Sequence, residues 1–518
     1  MFARLSLSSG PHGLRRNRSH PPFIAAALLG ALSAASAATV QDARALEGEL
    51  WYTVSIMGQR VGYAYTKVTV DEETPDGPVL RVEDAMQAQV QLQQGTGALP
   101  LESQAVSTFD SNLHLLRTEL SSNQFGRSRT VRARVLPGAI EVDVSAGGSD
   151  TRKSLPLTEM FGSDMDMAVA IARGEARVGD TMKFDAFDPE LVALDSHTVT
   201  ITGTTALEDG TEAFVVSTRR QRLPIEIITV IAPDGTPVSI STPAVLDMKL
   251  QRATQEEALA AAAPLMLSAE IPANREIPDP RRLQSLRARI TAGPQEAAEL
   301  IPSSPRQSVQ ADGEAAIVSV TRGVAAPEGA KFPVTDPDLA IYTKTSDIAQ
   351  TDHPTIVARA REIVGDETDA QKAAGRIVRW VYERVTKVKS EPRPVSALEI
   401  LQELSGDCTE HAILAGALCG AVGIPARMVV GVAYAHNSFY YHAWNEIHAG
   451  QWVEMDPAWG ELEVDAGHIR LADGSLDLEA ISKIGLAAAR SLDLLQVEIL
   501  DHTLTGDTQV PAAQEEDR

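Results

Sequence analysis

The residues of this sequence whose types and positions fit nucleophilic catalysis centre on Cys408. Asp407 precedes it and Glu410 follows it, which is the capping-box pattern of a helix start, and the apolar run 412–422 supplies the helix. Backbone N–H groups and the helix dipole stabilise an anion there, so we expect Cys408 to act as a thiolate nucleophile. Cys419 lies about 16 Å further along the same helix by helical rise and is expected to be an inert core residue.

A thiolate needs a base and a group that orients the base, and His442 and Asp456 lie in two runs typical of strands. The three-residue connection 448–450 ends in glycine, as hairpin loops with a bulge prefer, and it pairs the flanking positions 447 and 451. That register places His442 directly opposite Asp456 on one face, with Cβ atoms about 4.5–5.5 Å apart. We therefore expect Asp456 to hold the imidazole of His442. Only the contact between this imidazole and the Cys408 thiolate should depend on the tertiary fold.

Four motifs follow one another in order: G-D-C-T-E-H-A at 406–412, G-I-P-A-R at 423–427, H-A-W at 442–444 and D-P-A-W-G at 456–460. Together they resemble the transglutaminase-like domain, of a bacterial exported type, over residues 345–470. The resemblance implies a papain-like α+β core in which a helix carrying cysteine packs on an antiparallel sheet carrying histidine and aspartate. It also implies that Cys408 is the nucleophile, His442 the general base and acid, and Asp456 the orienting residue.

Three further side chains are candidates for supporting this chemistry. Gln402 lies six positions before Cys408, the spacing at which papain-type peptidases place a glutamine donor for the oxyanion, although it also fits an exposed helix glutamine. His411 follows three residues after Cys408, and Trp444 is expected in the wall of the cleft or in the core. A zinc site formed by His411 and the three catalytic candidates is disfavoured because the paired spacing of zinc ligands is missing, so we expect no metal and no cofactor.

The chemistry that these residues favour is acyl transfer or hydrolysis at amide bonds of a protein or peptide substrate, through a thioester. Water as the second reactant would make the protein a cysteine peptidase or amidase, whereas a lysine-type amine would make it a cross-linking enzyme. The sequence leaves both open. A non-catalytic protein-binding scaffold is a third interpretation, since most of the chain does not resemble an enzyme.

The composition restricts the class of protein. The 518 residues contain 46 Lys and Arg against 70 Asp and Glu, a formal net charge of −24, and 44% are hydrophobic. Such a chain can bury real cores, and its length favours two to four domains. The acidic balance argues against nucleic acid as a partner, because phosphate binding needs a basic surface.

The N-terminus has the pattern of an export signal. Residues 1–22 carry four arginines and no acid, and an apolar run at 23–32 is followed by the small residues Ala35-Ser36-Ala37. This predicts a signal peptide over 1–37, and an export to the periplasm or the exterior. An uncleaved membrane anchor is the alternative, but the run is shorter than the roughly 20 residues that span a bilayer. After cleavage we expect no stable membrane span.

The remaining chain divides by periodicity. We predict a β-rich antiparallel domain of unknown role at 46–260, a proline-rich linker with a small β module at 261–340, the transglutaminase-like domain at 345–470, and a closing segment with a polar tail at 471–518. Helical spacing predicts helices at 355–364, 369–385 and 395–404. The predicted fold class is α+β, with the papain-like core on the C-terminal side.

Overall fold

The computed structural model describes residues 38–506, apart from short gaps at 73, 75–76, 93–97, 125–126, 147–148, 164, 244, 294–295, 324–325, 327–328 and 389–395. The predicted signal peptide at 1–37 and the end of the polar tail from 507 lie outside the described residues. Among the helices of the described part, none combines the length and the apolar character needed to cross a bilayer.

The strands and helices are numbered in chain order. The strands are β1 Gly48–Ile56, β2 Gln59–Asp71, β3 Val79–Leu92, β4 Leu99–Phe109, β5 Leu115–Gln124, β6 Arg127–Leu136, β7 Ala139–Ala146, β8 Ser149–Pro156, β9 Thr181–Asp188, β10 Ala193–Ala206, β11 Glu212–Arg220, β12 Glu226–Ile231, β13 Pro237–Thr242, β14 Met248–Ala253, β15 Leu265–Leu267, β16 Glu270–Pro272, β17 Leu283–Ala292, β18 Gln307–Asp312, β19 Ala315–Thr321, β20 Thr386–Lys387, β21 Ser405–Gly406, β22 Ala426–Ala435, β23 Ser438–His448, β24 Trp452–Met455, β25 His468–Gly474 and β26 Leu495–Leu504. The α-helices are α1 Val40–Ala43, α2 Met165–Ala172, α3 Gln255–Leu259, α4 Ala297–Leu300, α5 Pro354–Val364, α6 Ala370–Arg384, α7 Ala397–Glu403, α8 Cys408–Ala421 and α9 Leu478–Ser491.

The first half of the chain folds into one large, curved sheet. The strand order is β8-β7-β6-β5-β4-β3-β2-β1-β14-β13-β12-β11-β10-β9, and all neighbours in it are antiparallel. The short strand β15 pairs with β3 in parallel. Buried and more exposed residues alternate along its strands, as in β7, where Ile140 and Val142 are buried. These two residues share a core with Phe187 and Val192, so the two ends of the sheet curve toward each other. The predicted β-rich antiparallel region is therefore confirmed.

The segment expected to be a proline-rich linker is built into the fold. Strand β16 pairs with β23, and β17 lies in a sheet of order β18-β19-β17-β26 that includes the C-terminal strand. Leu286 and Ile290 of β17 share a hydrophobic core with Val432 and Ile469 of the following sheet. Pro272 ends the edge strand β16, while Pro264, Pro278, Pro302 and Pro305 lie outside the strands, where a missing N–H group breaks no ladder. The segment packs against the C-terminal core.

The C-terminal core consists of α5 to α8 packed on a sheet of order β16-β23-β22-β25, with β24 paired to β23. The predicted helices are present, and Asp369 caps α6 by accepting a hydrogen bond of 3.0 Å from the Lys372 backbone. Helix α8 is buried on all sides from Glu410 to Gly420, which suits its continuous apolar sequence. The closing segment begins within β25, which crosses the predicted boundary at 470, and α9 covers β25.

Candidate active site

The start of α8 holds Cys408 at the first helical position. Asp407 is the N-cap: its Oδ1 accepts a hydrogen bond of 2.7 Å from the Thr409 backbone, and its own N–H donates to Glu410 Oε2 at 2.9 Å. A side chain on Gly406 would place its Cβ 2.3 Å from the Cβ of Glu410, so this tight turn requires glycine. Cys408 is partly exposed there, at the positive end of the helix dipole.

The hairpin that carries His442 has a different register from the predicted one. In β23 and β24, His448 pairs with Trp452 and Glu446 with Glu454, so the expected pairing of 447 with 451 is wrong by two positions. The loop is Ala449–Gln451, closed by a hydrogen bond of 2.8 Å from the Ala449 N–H to the Gln451 carbonyl. A shift of two positions keeps every side chain on its expected face.

His442 and Asp456 meet in spite of this shift. Asp456 lies one residue beyond β24 and diagonal to His442, not directly opposite it, and a diagonal neighbour is still within reach of a long side chain. The His442 Nε2 atom lies 2.8 Å from Asp456 Oδ2. The other carboxylate oxygen, Oδ1, accepts hydrogen bonds of 2.7 Å from the Ala458 N–H and 3.1 Å from the Trp459 N–H. The carboxylate is thus fixed by the turn that follows β24.

The charges of this pair stabilise each other in a buried site. Burial favours the neutral imidazole, but the Asp456 carboxylate and, after it, the Cys408 side chain raise the pKa of His442 to about 9. Burial likewise opposes ionisation of Asp456, yet His442 and then His468 hold the pKa of that carboxyl well below its usual range. Near neutral pH the pair is therefore an imidazolium and a carboxylate.

The sulfur of Cys408 completes the arrangement. The Cys408 side chain lies near enough to His442 to raise the pKa of its imidazole, and because Nε2 faces Asp456, Nδ1 is the ring nitrogen left for the sulfur. The structure thus brings the three predicted catalytic residues together at one edge of the sheet. Cys419, by contrast, is fully buried in α8, and burial raises the pKa of its thiol to about 12. Only the cysteine at the helix start has the surroundings of a nucleophile.

The aromatic residue against the imidazole is Trp459, not Trp444. The Trp459 ring stacks on His442 with ring centroids 4.3 Å apart and planes inclined by 20°. Trp444 lies further away at 6.1 Å, is completely buried, and donates from Nε1 to Glu454 Oε2 at 2.8 Å. Of the two expectations for Trp444, wall of the cleft or core, the structure supports the core. Trp459 is partly exposed and forms the wall beside His442.

Gln402 and His411 occupy less direct positions. Gln402 is exposed near the end of α7, and in the described part of the chain no hydrogen bond joins it to Cys408 or His442. His411 is buried, its Nδ1 lies 2.6 Å from the Asp407 carbonyl oxygen, and burial lowers its pKa. A neutral His411 thus contacts the backbone of the capping residue. The oxyanion donor that the geometry offers is the Cys408 backbone N–H at the helix start.

The four-residue zinc set considered from the sequence is not assembled. Among the described residues, the side chains close enough to share a cation are His442, Asp456 and His468, and separately Glu461, Asp465 and His468. Neither group includes Cys408 or His411. His468 was missed by sequence reasoning because it lies in a different strand, β25, and outside the four motifs.

The comparison with protein families gives the domain a name. Residues 357–457 match the model of the Transglutaminase-like superfamily, which confirms the resemblance seen in the motifs. The match contains Cys408 and His442 and ends one residue after Asp456. The chain therefore carries a transglutaminase-like domain in its C-terminal half. No curated protein matches the chain.

Three solved structures are similar to parts of the chain. A "Putative Cysteine Protease from Cytophaga hutchinsonii" is 19% identical with a TM-score of 0.32, covering 43% of this chain and 90% of that one. A beta-barrel-like protein of a domain of unknown function from Brucella abortus is 10% identical with a TM-score of 0.30, covering 40% of this chain and 95% of its own. A "putative protease from Parabacteroides distasonis ATCC 8503" is 10% identical with a TM-score of 0.19, covering 66% and 69%. Similarities at such low TM-scores do not indicate an activity for this chain.

Proposed function

We propose, on the premise that residues 357–457 form a transglutaminase-like domain, that this protein is a cysteine enzyme that transfers or hydrolyses acyl groups at protein or peptide amides. One observation carries the proposal: a partly exposed sulfur at a helix start lies beside an imidazole, and a buried carboxylate holds that imidazole at 2.8 Å. A nucleophile, a base and a group that orients the base are the minimum set for such chemistry.

In the first half of the reaction, the Cys408 thiolate attacks the amide carbonyl and forms a carbon–sulfur bond. The negative charge moves to the carbonyl oxygen, where the Cys408 backbone N–H and the positive end of α8 stabilise it. The His442 imidazolium then donates its proton to the nitrogen of the leaving amine. The carbon–nitrogen bond breaks, which leaves a thioester and a neutral imidazole.

In the second half, the neutral His442 takes a proton from the incoming nucleophile, which attacks the thioester carbonyl. The carbon–sulfur bond breaks, and the thiolate and imidazolium are restored. Water as the nucleophile gives hydrolysis, and a primary amine gives a new amide. Asp456 keeps the imidazole in one orientation through both halves, because its two oxygens are held by His442 and by the turn at 458–459.

The test incubates the protein with a glutamine-containing peptide, with and without a primary amine, and follows ammonia, backbone cleavage and the amine adduct by mass spectrometry. An amine adduct without backbone cleavage supports transfer, and cleavage or ammonia alone supports a peptidase or amidase. Cys408→Ala is expected to abolish all three products, while the matched variant Cys419→Ala keeps them. Full product formation by Cys408→Ala would contradict a thioester mechanism.

A non-catalytic scaffold is the alternative that the large sheet favours, since β1 to β14 form an extended sheet with exposed ion pairs on its face. It predicts that Cys408→Ala leaves the cellular phenotype intact and that deletion of residues 46–255 removes it. The enzyme predicts that Cys408→Ala alone removes the phenotype. We place the protein in the periplasm or outside the cell on the strength of its N-terminal pattern. A fusion of residues 1–45 to a periplasm-dependent reporter tests that placement.

A further inference from the structure

We propose that His468, Asp465 and Arg281 are positioning residues of this active site, which hold Asp456 and Trp459 in place and through them orient His442. The inference rests on the proposed function and extends the site beyond the triad. His468 and Asp465 follow the family-matched segment 357–457, and Arg281 precedes it by 76 positions. The active site would then be completed by residues outside the family-matched segment.

His468 lies on the far side of Asp456 from His442. It is completely buried in β25, its Nε2 is 3.4 Å from Asp456 Oδ2, and its Nδ1 is 3.3 Å from Asp465 Oδ1. The two histidines therefore share one carboxylate oxygen, with ring centroids 5.8 Å apart. An imidazole between two carboxylates must donate from both nitrogens to satisfy both, which requires the charged form.

Asp465 connects this histidine to Arg281. The Asp465 Oδ2 atom lies 2.9 Å from Arg281 Nη1, and its Oδ1 accepts a hydrogen bond of 2.7 Å from the Gly467 N–H. Glu461 Oε1 also binds Arg281 Nη1, at 2.7 Å, and its other oxygen accepts from the Asp465 N–H at 3.0 Å. The Arg281 guanidinium, which comes from another part of the chain, thus stabilises the turn between Asp456 and β25.

Arg281 also covers the aromatic wall of the site. Its guanidinium carbon lies 4.0 Å from the ring centre of Trp459, on which His442 stacks. A further N–H donates to the Tyr434 carbonyl, which fixes the guanidinium against the edge of β22. Arg281 comes from the short 3₁₀ turn Pro280–Arg282 that leads into β17. Arg281 is therefore linked to the His442 imidazole in two ways: through the Trp459 ring, and through the carboxylates that bind His468.

The charges in this cluster balance. Facing His468 are Asp456 from the turn after β24, Asp465 and Glu461 from the turn before β25, and His442 from β23. Burial favours a neutral His468, but Asp465 and then Asp456 raise its pKa to about 9. With Arg281, three positive groups face three negative ones. Removal of His468 leaves an excess negative charge beside Asp456, and it removes a positive neighbour of His442.

These contacts give a signature that a loss of general stability would not give. Without His468, the His442 imidazolium is favoured more strongly, so the alkaline limit of activity should move to higher pH. Loss of positioning should at the same time lower kcat by roughly 10–100-fold with little change in KM. For Arg281, we expect Arg281→Ala to lower kcat more than Arg281→Lys, because lysine keeps the charge facing Asp465 and loses the planar contact with Trp459.

The experiment uses the full chain and two readouts: kcat and KM against pH on the peptide substrate, and the rate of Cys408 alkylation by iodoacetamide against pH, which needs no substrate. The variants are His468→Gln, Arg281→Lys and Arg281→Ala. The matched control is Arg282→Ala, the exposed neighbour of Arg281 in the same turn, which should behave as the wild type. Circular dichroism and thermal unfolding show which variants are folded.

The proposal is supported if His468→Gln lowers kcat and moves the alkaline limit upward, and if the Arg281 variants rank as expected. An active wild type whose folded His468→Gln variant keeps its kcat and its pH profile would overturn it. Should His468→Gln not fold, the decision falls to the two Arg281 variants, and equal activity of both with the wild type overturns the proposal. A wild type with neither product formation nor rapid alkylation of Cys408 would instead contradict the proposed function itself.

Discussion

Strands β5 to β8 of the large sheet and the C-terminal core place charged side chains in opposite environments. In β5 to β8, ion pairs such as Arg152 with Asp143 and Arg132 with Glu119 stand on the exposed face. In the core sheet, Glu446 and Glu454 are buried with ionic partners. Burying a charge costs several kcal/mol unless it is paired well, so these buried carboxylates depend on the cations beside them. In the first region, charged side chains occupy the solvent-exposed face of alternating strands. In the second, paired charges are buried in the sheet that carries the candidate active site.

The largest effect should come from the charge closest to the reaction. Asp456→Asn should lower kcat by about 10³–10⁴-fold, because an amide does not hold the His442 imidazolium and fixes the wrong ring tautomer. The measurement is kcat/KM of the peptide reaction in the folded variant. As a control from the large sheet, Asp143→Asn removes the exposed pair with Arg152 and should leave kcat/KM unchanged. Equal losses in both variants would remove the distinction between the two regions.

The next largest effect concerns stability. Arg470 is buried in β25 and lies 2.7 Å from Glu446, 2.8 Å from Glu454 and 3.0 Å from Asp473. Arg427 also pairs with Glu446 and Asp473, and Arg306 also pairs with Glu454. Arg470→Ala therefore removes one of the two cations beside each carboxylate, and it should lower the free energy of unfolding by about 3 kcal/mol. Urea denaturation measures this value.

The control for Arg470 is Arg152→Ala, which breaks the exposed pair with Asp143 in the large sheet. It should leave the free energy of unfolding almost unchanged, because exposed pairs are screened by water. A cost for Arg152→Ala that equals the cost for Arg470→Ala would show that burial does not distinguish the two sheets.

The comparison also shows how far the sequence predicts the site. Cys408 is predictable because a capping box is a local pattern, and the faces of His442 and Asp456 follow from alternation along two adjacent strands. The predicted register is wrong by two positions because two three-residue loops that contain Gly450, 448–450 and 449–451, keep the side chains on the same faces. His468 is not predictable from local patterns, since its meeting with Asp456 depends on the order β23-β22-β25.

Arg281 and Trp444 show the same limit in two further ways. Arg281 reaches the site from a segment that its prolines marked as a linker, and no spacing along the chain relates it to Trp459. Trp444 lies within a family motif, yet its burial is set by the packing of Val429 and Val464 around it. A sequence pattern therefore identifies the candidate reactive residues, whereas the contacts that support them depend on long-range topology.

A smaller effect links the two buried histidines to pH. The pKa values of His442 and His468 are raised to about 9, from ordinary values near 6.5, by the carboxylates that face them in spite of burial. The folded state therefore binds more protons than the unfolded chain between these values. Their contribution to stability is complete below about pH 6.5 and is lost as pH rises through 9. We expect the free energy of unfolding to fall steadily over this range.

Urea denaturation between pH 6 and 9.5 measures the fall, and His468→Gln should reduce it because only His442 then releases a proton. His114→Gln is the control, since His114 is exposed near the start of β5 and should leave the pH dependence unchanged. A wild-type stability that rises over this range would have the wrong sign and would contradict the charged state of the two histidines.

The smallest expected effect tests where substrate contacts the core. Tyr382 is exposed by 43% near the end of α6, and its ring lies against Gly460, where a Cβ would be 3.0 Å from it. Gly460 directly follows Trp459, so this ring continues the wall of the cleft away from His442. The Lys387 Nζ atom is 4.7 Å from the ring centre, which gives the wall a positive group in an acidic protein.

Tyr382→Ala should therefore raise KM of the peptide reaction by about three- to tenfold and leave kcat nearly unchanged, because the ring touches no reacting group. The control is Leu136→Ala at the end of β6, which removes a side chain of 41% exposure from the large sheet and should change neither parameter. A fall in kcat at constant KM would mean that Tyr382 supports Trp459 and does not bind substrate. An equal rise of KM in both variants would mean that the large sheet also binds substrate. The two regions would then differ in their catalytic role but not in substrate binding.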